Sequence, residues 1–201
     1  MVSERKLIKR EVSVAGHCFH AATDALTRAE ELGPEYAGWR TANVMCAVSM
    51  LMFALEADVN HLLQRLYENR PECTHKNSPT LEDAYWFTLR ERIELFCRLI
   101  GESTPDFGTR PFQVVSTLKK IRDEIVHGKP YLAQQEVIDL TEKGEPPTTL
   151  PKSLMADWEQ ECTIPRANQH RDDMIEVHHR LIEMSGIQLG NPLEMTSVLS
   201  W

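Results

Sequence analysis

Hydrophobic residues recur along this chain at the spacing of α-helices, and they predict a first helix at about residues 12–32 and a second at about 39–69. The segment GPEY separates the two, because a glycine followed by a proline interrupts helical structure. The second helix is the longest and most apolar. Its residues three and four positions apart predict one buried face, made of Val44, Val48, Leu51, Met52, Leu55, Val59, Leu62 and Leu66.

Three further helices are predicted after these two. The third begins after Thr80, which has the character of an N-cap with an acidic residue three positions later, and it ends at Gly101. The fourth begins near Pro111, a favoured first-turn residue, and ends before Gly128. The fifth spans about residues 166–185, where apolar residues again share one face.

Between the fourth and fifth helices, the helical pattern is lost over about residues 131–164. This stretch contains EVIDLTEKGEPPTTLPKS, in which three prolines interrupt regular structure and EVIDLT is a candidate short strand. We therefore predict a single all-α domain over residues 1–201, a helical bundle of four to five helices with one long irregular insertion.

Composition limits the classes of function. Apolar residues make up 42% of the 201 residues and charged residues 26%, as in soluble globular proteins, and the net charge of −8 argues against a broad nucleic-acid surface while allowing a small basic site. The five cysteines form no CxxC pair, so neither a zinc site nor a disulfide framework is predicted.

No signal-peptide pattern follows the basic N-terminus, and the apolar run VMCAVSMLMFALEADV is short for a membrane span. We expect a cytoplasmic protein that does not enter a membrane.

The segment LKKIRDEIVHGKP, residues 118–130, carries the strongest functional signal. Arg122 falls near the middle of the apolar stripe of the fourth helix, where a guanidinium is costly unless a carboxylate or an anion meets it. His127 follows at the predicted helix end, beside Gly128, where the two side chains can converge. Such a pair suits phosphoryl transfer, because the arginine stabilises charge on the phosphate and the histidine moves protons.

The segment from Arg122 to His127 resembles the R-x4-H motif of HEPN domains, the higher eukaryotes and prokaryotes nucleotide-binding family. Arg122 and His127 match the two invariant positions, and Asp123 takes the polar position in which asparagine is commoner. Aspartate adds negative charge beside the phosphate site. HEPN domains are all-α bundles, and many of them are metal-independent ribonucleases.

The resemblance implies a mechanism in which the RNA 2′-hydroxyl attacks the adjacent phosphate, leaving a cyclic phosphate and a 5′-hydroxyl. His127 would act as acid or base and Arg122 would hold the phosphate. It also implies a homodimer with motifs from both protomers at the site, and no metal or cofactor. We therefore expect a HEPN-type endoribonuclease of a prokaryotic toxin or defence system, with RNA as substrate and an antitoxin or other protein as a further partner.

Two alternatives stay open. The first is a catalytically inactive HEPN-like module that binds a protein partner or a nucleotide. The second is a helical bundle with a structural or interaction role, in which Arg122 pairs with an internal carboxylate and His127 only ends its helix.

The second helix offers carboxylates for Arg122. Glu56 and Asp58 flank its apolar stripe on opposite edges. We predict that Glu56 crosses the bundle to Arg122, and we also assign Glu56 to the candidate catalytic site with Arg122, Asp123 and His127. Otherwise both carboxylates would lie at the solvent boundary.

Glu176 and His179 have the spacing of an E-x-x-H motif, and Asp58 and His61 are a looser match, with the same spacing but aspartate in place of glutamate. We predict no metal site from these residues. Di-iron bundles need two such motifs, and His178 rather than His179 falls on the apolar face. We expect His178 to be a hydrogen-bonded interior or interface histidine.

The remaining polar and aromatic candidates receive weaker predictions. His17 and His20 are expected to be solvated on the polar face of the first helix. The aromatic residues of AYWF, residues 84–87, are expected to pack in the core rather than to stack on bases. A basic rim beside the site is predicted from Arg90, Arg92, Arg98, Lys119 and Lys120.

Overall fold

A computed structural model describes residues 9–69, 78–127, 156–186 and 197–200. In these ranges the helices are α1 (Val14–Glu31), α2 (Ala37–Asn69), α3 (Leu81–Tyr85), α4 (Leu89–Ile100), α5 (Gln113–His127), α6 (Asp157–Glu161) and α7 (Ile164–Ser185). A short 3-10 helix, Pro34–Tyr36, precedes α2. The prediction of an all-α helical bundle is confirmed.

Two short strands pair the beginning of the described chain with its end. Strand β1 (Lys9–Val12) runs antiparallel to β2 (Ser197–Ser200), with Lys9 opposite Ser200 and Val12 opposite Ser197. The ladder is small beside the helices and does not change the fold class.

Helices α1 and α2 form a closely packed hairpin. Helix α1 begins at the N-cap Ser13, whose hydroxyl accepts a hydrogen bond from the Gly16 amide at 3.0 Å. Both helices carry several small buried residues, and small side chains allow two helix axes to approach closely. The buried alanines include Ala22, Ala25 and Ala29 on α1 and Ala47 and Ala54 on α2.

Helix α2 is the centre of the bundle and packs against α1, α4, α5 and α7. All eight residues of its predicted apolar face are buried. The segment Pro34–Asn69 is long and apolar enough to cross a membrane by length and composition, and half of its most apolar 18-residue window is buried inside the bundle.

The predicted third helix is divided into α3 and α4. The predicted cap of its first part is confirmed, because the Thr80 hydroxyl accepts from the Asp83 amide at 3.1 Å and the Thr80 amide donates to the Asp83 carboxylate at 2.9 Å. A second capping box, formed by Thr88 and Glu91 with a Thr88 N–H to Oε2 distance of 2.7 Å, restarts the chain as α4. The single continuous helix was therefore a wrong prediction.

This division places two aromatic side chains in solvent. Tyr85 is exposed and Trp86 is 91% exposed, whereas Phe87 packs partly against the core. The expectation of core packing was wrong for Tyr85 and Trp86. We expected a continuous helix to bury them, but the turn between α3 and α4 directs them towards the surface.

The predicted irregular insertion is shorter than expected at its C-terminal end. Residues 157–161 form α6, which packs against α5 and places Trp158 partly against the core, and α7 begins at Ile164. The rest of the insertion, residues 131–155 with EVIDLT, lies outside the described residues. Before α5, Pro111 lies in a turn two residues ahead of the helix, after a cis peptide bond with Arg110.

Candidate functional site

Helix α5 presents Arg122 at the edge of the core. Leu118 and Ile121 on the preceding turn are buried, while the Arg122 side chain remains 23% exposed. Val126, an apolar residue on the last turn of α5, is 68% exposed. The apolar face of α5 therefore becomes exposed to solvent over the last turn of the helix. Arg122 lies at the boundary between its buried and exposed parts.

Arg122 joins α5 to α2 through Glu56. Its Nη1 lies 3.1 Å from Glu56 Oε1, so the predicted contact between the two helices is confirmed. Its Nε and Nη2 donate to Asp123 Oδ1 at 3.1 and 2.9 Å. Lys119, one turn earlier, donates to Asp123 Oδ2 at 2.7 Å. The four side chains form a row of alternating charges on the surface of the bundle.

These contacts hold the charges of the row in place. Burial alone would lower the pKa of Arg122, but the hydrogen bond to Asp123 and the charges of Glu56 and Asp123 raise it above its ordinary value. The hydrogen bond from Lys119, together with Arg122, lowers the pKa of Asp123 despite partial burial. Arg122 is therefore a cation, and Asp123 an anion, throughout the neutral range.

His127 is the last residue of α5 and is exposed. The helix continues through it, so Arg122 and His127 lie about 140° apart around the axis and about 7.5 Å apart along it. The expected convergence at an opened helix end is not observed at the backbone level, because His127 is itself helical. The two side chains therefore leave α5 on different sides.

The second carboxylate of α2 has a different partner. Asp58 Oδ2 lies 2.8 Å from His178 Nδ1 of α7, and neither side chain is more than 1% exposed. His178 is thus the hydrogen-bonded interior histidine that was predicted. Asp58 was placed at the edge of the stripe, which is wrong. Its position seven residues after Leu51 and four before Leu62 was the signal that it shares their buried face.

The E-x-x-H residues are on the surface. Glu176 and His179 are exposed, and Glu176 accepts a hydrogen bond from Arg180 at 2.8 Å. Within residues 9–69, 78–127, 156–186 and 197–200, no group of three or more His, Cys, Asp or Glu side chains is arranged to hold a metal ion. His17 and His20 are exposed, as predicted.

The predicted basic rim is mostly engaged with the protein itself. Arg92 is half-buried and donates to Asn60 at 2.8 Å and to the Phe87 carbonyl at 2.9 Å, so it fastens the turn before α4 to α2. Arg90 pairs with Glu94 at 2.8 Å. Lys120 lies 3.9 Å from Glu124, and Arg98 is exposed. Arg90, Lys119 and Lys120 therefore each pair with a carboxylate, Arg92 binds neutral acceptors, and Arg98 is the rim residue for which no such contact is seen among the described residues.

Two polar clusters on α7 were missed by sequence reasoning. In the first, Glu161 accepts from Arg166 at 2.7 Å and lies 3.1 Å from the ring nitrogen of the buried His170. Burial lowers the pKa of His170 more strongly than the carboxylate raises it. For Glu161, burial would raise the pKa, but Arg166 and His170 lower it.

In the second cluster, Arg110 binds the buried Asp173 through Nε at 2.9 and 3.0 Å and through Nη2 at 2.6 Å. This two-pronged contact fastens the loop before α5 to α7. Arg110 and Asp173 are 63 residues apart in the chain. No local pattern relates them, so only the packing of the bundle reveals the pair.

Comparison with protein-family models gives no match for this chain, and neither curated proteins nor solved structures match it.

Proposed function

We propose that this chain is a metal-independent endoribonuclease of HEPN type, in which Arg122 binds the scissile phosphate and His127 transfers protons. The observation that carries the proposal is the placement of Arg122. It is a charged guanidinium fixed at a partly exposed position, on the helix that ends in an exposed histidine. A fixed cation at a surface where charge develops is the feature that lowers the barrier to phosphoryl transfer.

In the proposed reaction, the 2′-hydroxyl of one nucleotide attacks the adjacent phosphorus and loses its proton. The bond from phosphorus to the 5′-oxygen of the next nucleotide breaks, and that oxygen gains a proton. The products are a 2′,3′-cyclic phosphate and a 5′-hydroxyl. One imidazole can serve either proton transfer, and Arg122 stabilises the added negative charge on the phosphate oxygens.

Glu56 and Asp123 set the conditions under which Arg122 acts. They orient the guanidinium, and a phosphate must displace at least one of their hydrogen bonds to bind it. Because both carboxylates are partly exposed, this exchange costs little. Lys119 also neutralises Asp123, which reduces the repulsion that this aspartate exerts on an incoming phosphate.

The divergence of Arg122 and His127 around α5 supports a site completed by a second protomer. Val126 provides an exposed apolar contact beside His127. We place the two-fold interface at the C-terminal end of α5, so that His127 of one protomer approaches the partner's phosphate site. Light scattering of the full chain at micromolar concentration should give the mass of a dimer. Val126→Asp should shift it towards the monomer, and the similarly exposed control Val14→Asp should not.

One observation favours the alternative of an inactive module that binds a protein partner or nucleotide. Three nitrogens of Arg122 already bind carboxylates, as in a purely structural ion pair. We also propose that the protein acts in the cytoplasm, in a prokaryotic toxin or defence system, with an antitoxin as partner. This part of the proposal rests on the Arg122–His127 motif.

The proposal is tested by RNA cleavage in the presence of a chelator. The wild type should cleave RNA at the same rate with and without chelator. His127→Ala should abolish cleavage, and the control His179→Ala, another exposed helical histidine, should not. Equal cleavage by His127→Ala, or cleavage that requires a divalent ion, would contradict the proposed chemistry. Absence of any cleavage by the folded dimer would favour the inactive module.

A further inference from the structure

A cavity of about 440 Å³ lies between the beginning of α4, the loop after it and the middle of α5. This volume falls within the range of small-ligand sites, roughly 300–1,000 Å³. The side chains around it are the largely buried Leu89, Phe107 and Val115, the hydroxyl-bearing Thr88 and Ser116, and the charged Arg90, Asp106 and Lys119. The wall is therefore suited to a flat ligand that also carries charge.

The two cations of the cavity are available to an anion. The Arg90 guanidinium lies 4.8 Å from the centroid of the Phe107 ring, which holds it as a flat surface at the edge of the cavity. Arg90 and Lys119 pair with Glu94 and Asp123, respectively, and both cationic side chains are at least half exposed. Exposed ion pairs contribute little free energy, so a phosphate can replace either carboxylate.

Asp106 provides a fixed acceptor. Its Oδ1 accepts a hydrogen bond from the Gly108 amide at 2.8 Å, which orients the carboxylate within the loop. Among the described residues, Oδ2 has no hydrogen-bond partner. An oriented carboxylate with one unused oxygen can accept N–H groups from a ligand.

The cavity and Arg122 are connected through Lys119. This residue lines the cavity and donates to Asp123, which in turn accepts from Arg122. Lys119 and Arg122 are separated by a rise of about 4.5 Å along α5. A nucleotide whose phosphate lies at Arg122 therefore has its neighbouring base within reach of this cavity.

We propose that the cavity binds the base next to the cleaved phosphate and prefers guanine, whose N1–H and N2 amino group would donate to Asp106. The inference rests on the proposed ribonuclease function. Guanine presents two adjacent donors on its pairing edge. Uracil presents one N–H between two carbonyl oxygens, which a carboxylate repels. The exposed guanidinium of Arg90, which lies over the buried Phe107 ring, offers a flat surface on which any base can stack.

The test is calorimetric titration of the full chain with guanosine 3′-monophosphate and uridine 3′-monophosphate. The guanosine nucleotide should bind about tenfold more tightly, as expected for one well-placed pair of hydrogen bonds. Asp106→Asn retains an acceptor for the Gly108 amide but presents a donor to the ligand, so it should remove the preference. The control Glu102→Gln, an exposed carboxylate in the same loop, should retain it. Equal affinities in the wild type, or an unchanged preference in Asp106→Asn, would overturn the inference.

The outcomes for the two proposals are separable, because mononucleotide binding requires no cleavage. Guanine preference that depends on Asp106 in a protein that cleaves no RNA would support the cavity and contradict the ribonuclease. Cleavage that depends on His127, without guanine preference in binding or in the positions cut, would support the ribonuclease and overturn the cavity.

Discussion

Glu56 and Asp58 lie two residues apart on α2, but they face different helices and different environments. Glu56 binds Arg122 of α5, and the two side chains are 27% and 23% exposed. Asp58 binds His178 of α7, and the two side chains are 0% and 1% exposed. The rotation of about 200° between the two positions directs one carboxylate to the surface and the other into the core.

This difference separates a pair that can exchange its partner from a pair that cannot. Arg122 and its carboxylates are partly exposed to solvent, so an anion can replace a carboxylate at small cost. The Asp58–His178 pair is enclosed, and Asp58 Oδ1 and His178 Nε2 have no hydrogen-bond partner among the described residues. Removing one member leaves an uncompensated polar or charged group in the core. The Arg122 pair is therefore suited to binding a ligand, and the Asp58 pair to holding α2 against α7.

The largest expected effect comes from substituting one member of each pair. Arg122→Ala should lower RNA cleavage by on the order of a hundredfold or more, because it removes the cation at the phosphate. It should lower the free energy of unfolding by no more than about 1 kcal/mol, because the pair is partly exposed. His178→Leu should show the opposite pattern, with a loss of about 3 kcal/mol and cleavage retained in the folded fraction. Urea denaturation and a cleavage assay measure the two quantities.

The double variant Asp58→Leu/His178→Leu is the control for the buried pair. Replacing both members removes the uncompensated carboxylate, so most of the stability lost in His178→Leu should return. A double variant that is less stable than His178→Leu would contradict this explanation, because the loss could not then come from a carboxylate left without its partner.

Some of this arrangement could be predicted from the sequence, because it depends on local periodicity. The buried face of α2 and the contact from Glu56 to Arg122 follow from which residues share a helix face. The Thr80 cap follows from the acidic residue three positions later. The same periodicity also places Asp58 on the buried face, but we predicted a position at the edge of that face because aspartate is charged. For Asp58, helical spacing was a better guide to burial than residue type.

Other features depend on contacts between distant segments. The break at Thr88 is stabilised by Arg92, which binds Asn60 on α2 and the carbonyl of Phe87. Helix α6 packs against α5, and its five residues are too few to show a helical period. The directions of the Arg122 and His127 side chains depend on whether α5 continues through His127. The presence of Gly128 in the sequence did not show whether the helix would end before His127 or after it.

The smallest predicted effect concerns His170 and Glu161, whose side chains are 4% and 25% exposed and so lie between the two pairs of α2. Burial lowers the pKa of His170, so the folded protein favours the neutral imidazole. Below the ordinary histidine pKa of about 6.5, the unfolded chain binds a proton that the folded chain resists. The free energy of unfolding should therefore decrease as the pH falls from about 7 towards 5. Urea denaturation across this range should show a smaller decrease for His170→Gln, and an identical pH dependence would contradict the assignment.

The most direct test of the central claim, that Arg122 and His127 cleave RNA through the 2′-hydroxyl, uses a defined RNA and a matched strand with a single 2′-deoxynucleotide at the preferred cut. With chelator present, the wild type should cleave the RNA to fragments ending in 2′,3′-cyclic phosphate and 5′-hydroxyl. It should leave the bond after the deoxynucleotide intact, because the attacking group is missing. Cleavage at the deoxynucleotide, or fragments with 5′-phosphate ends, would contradict the proposed mechanism.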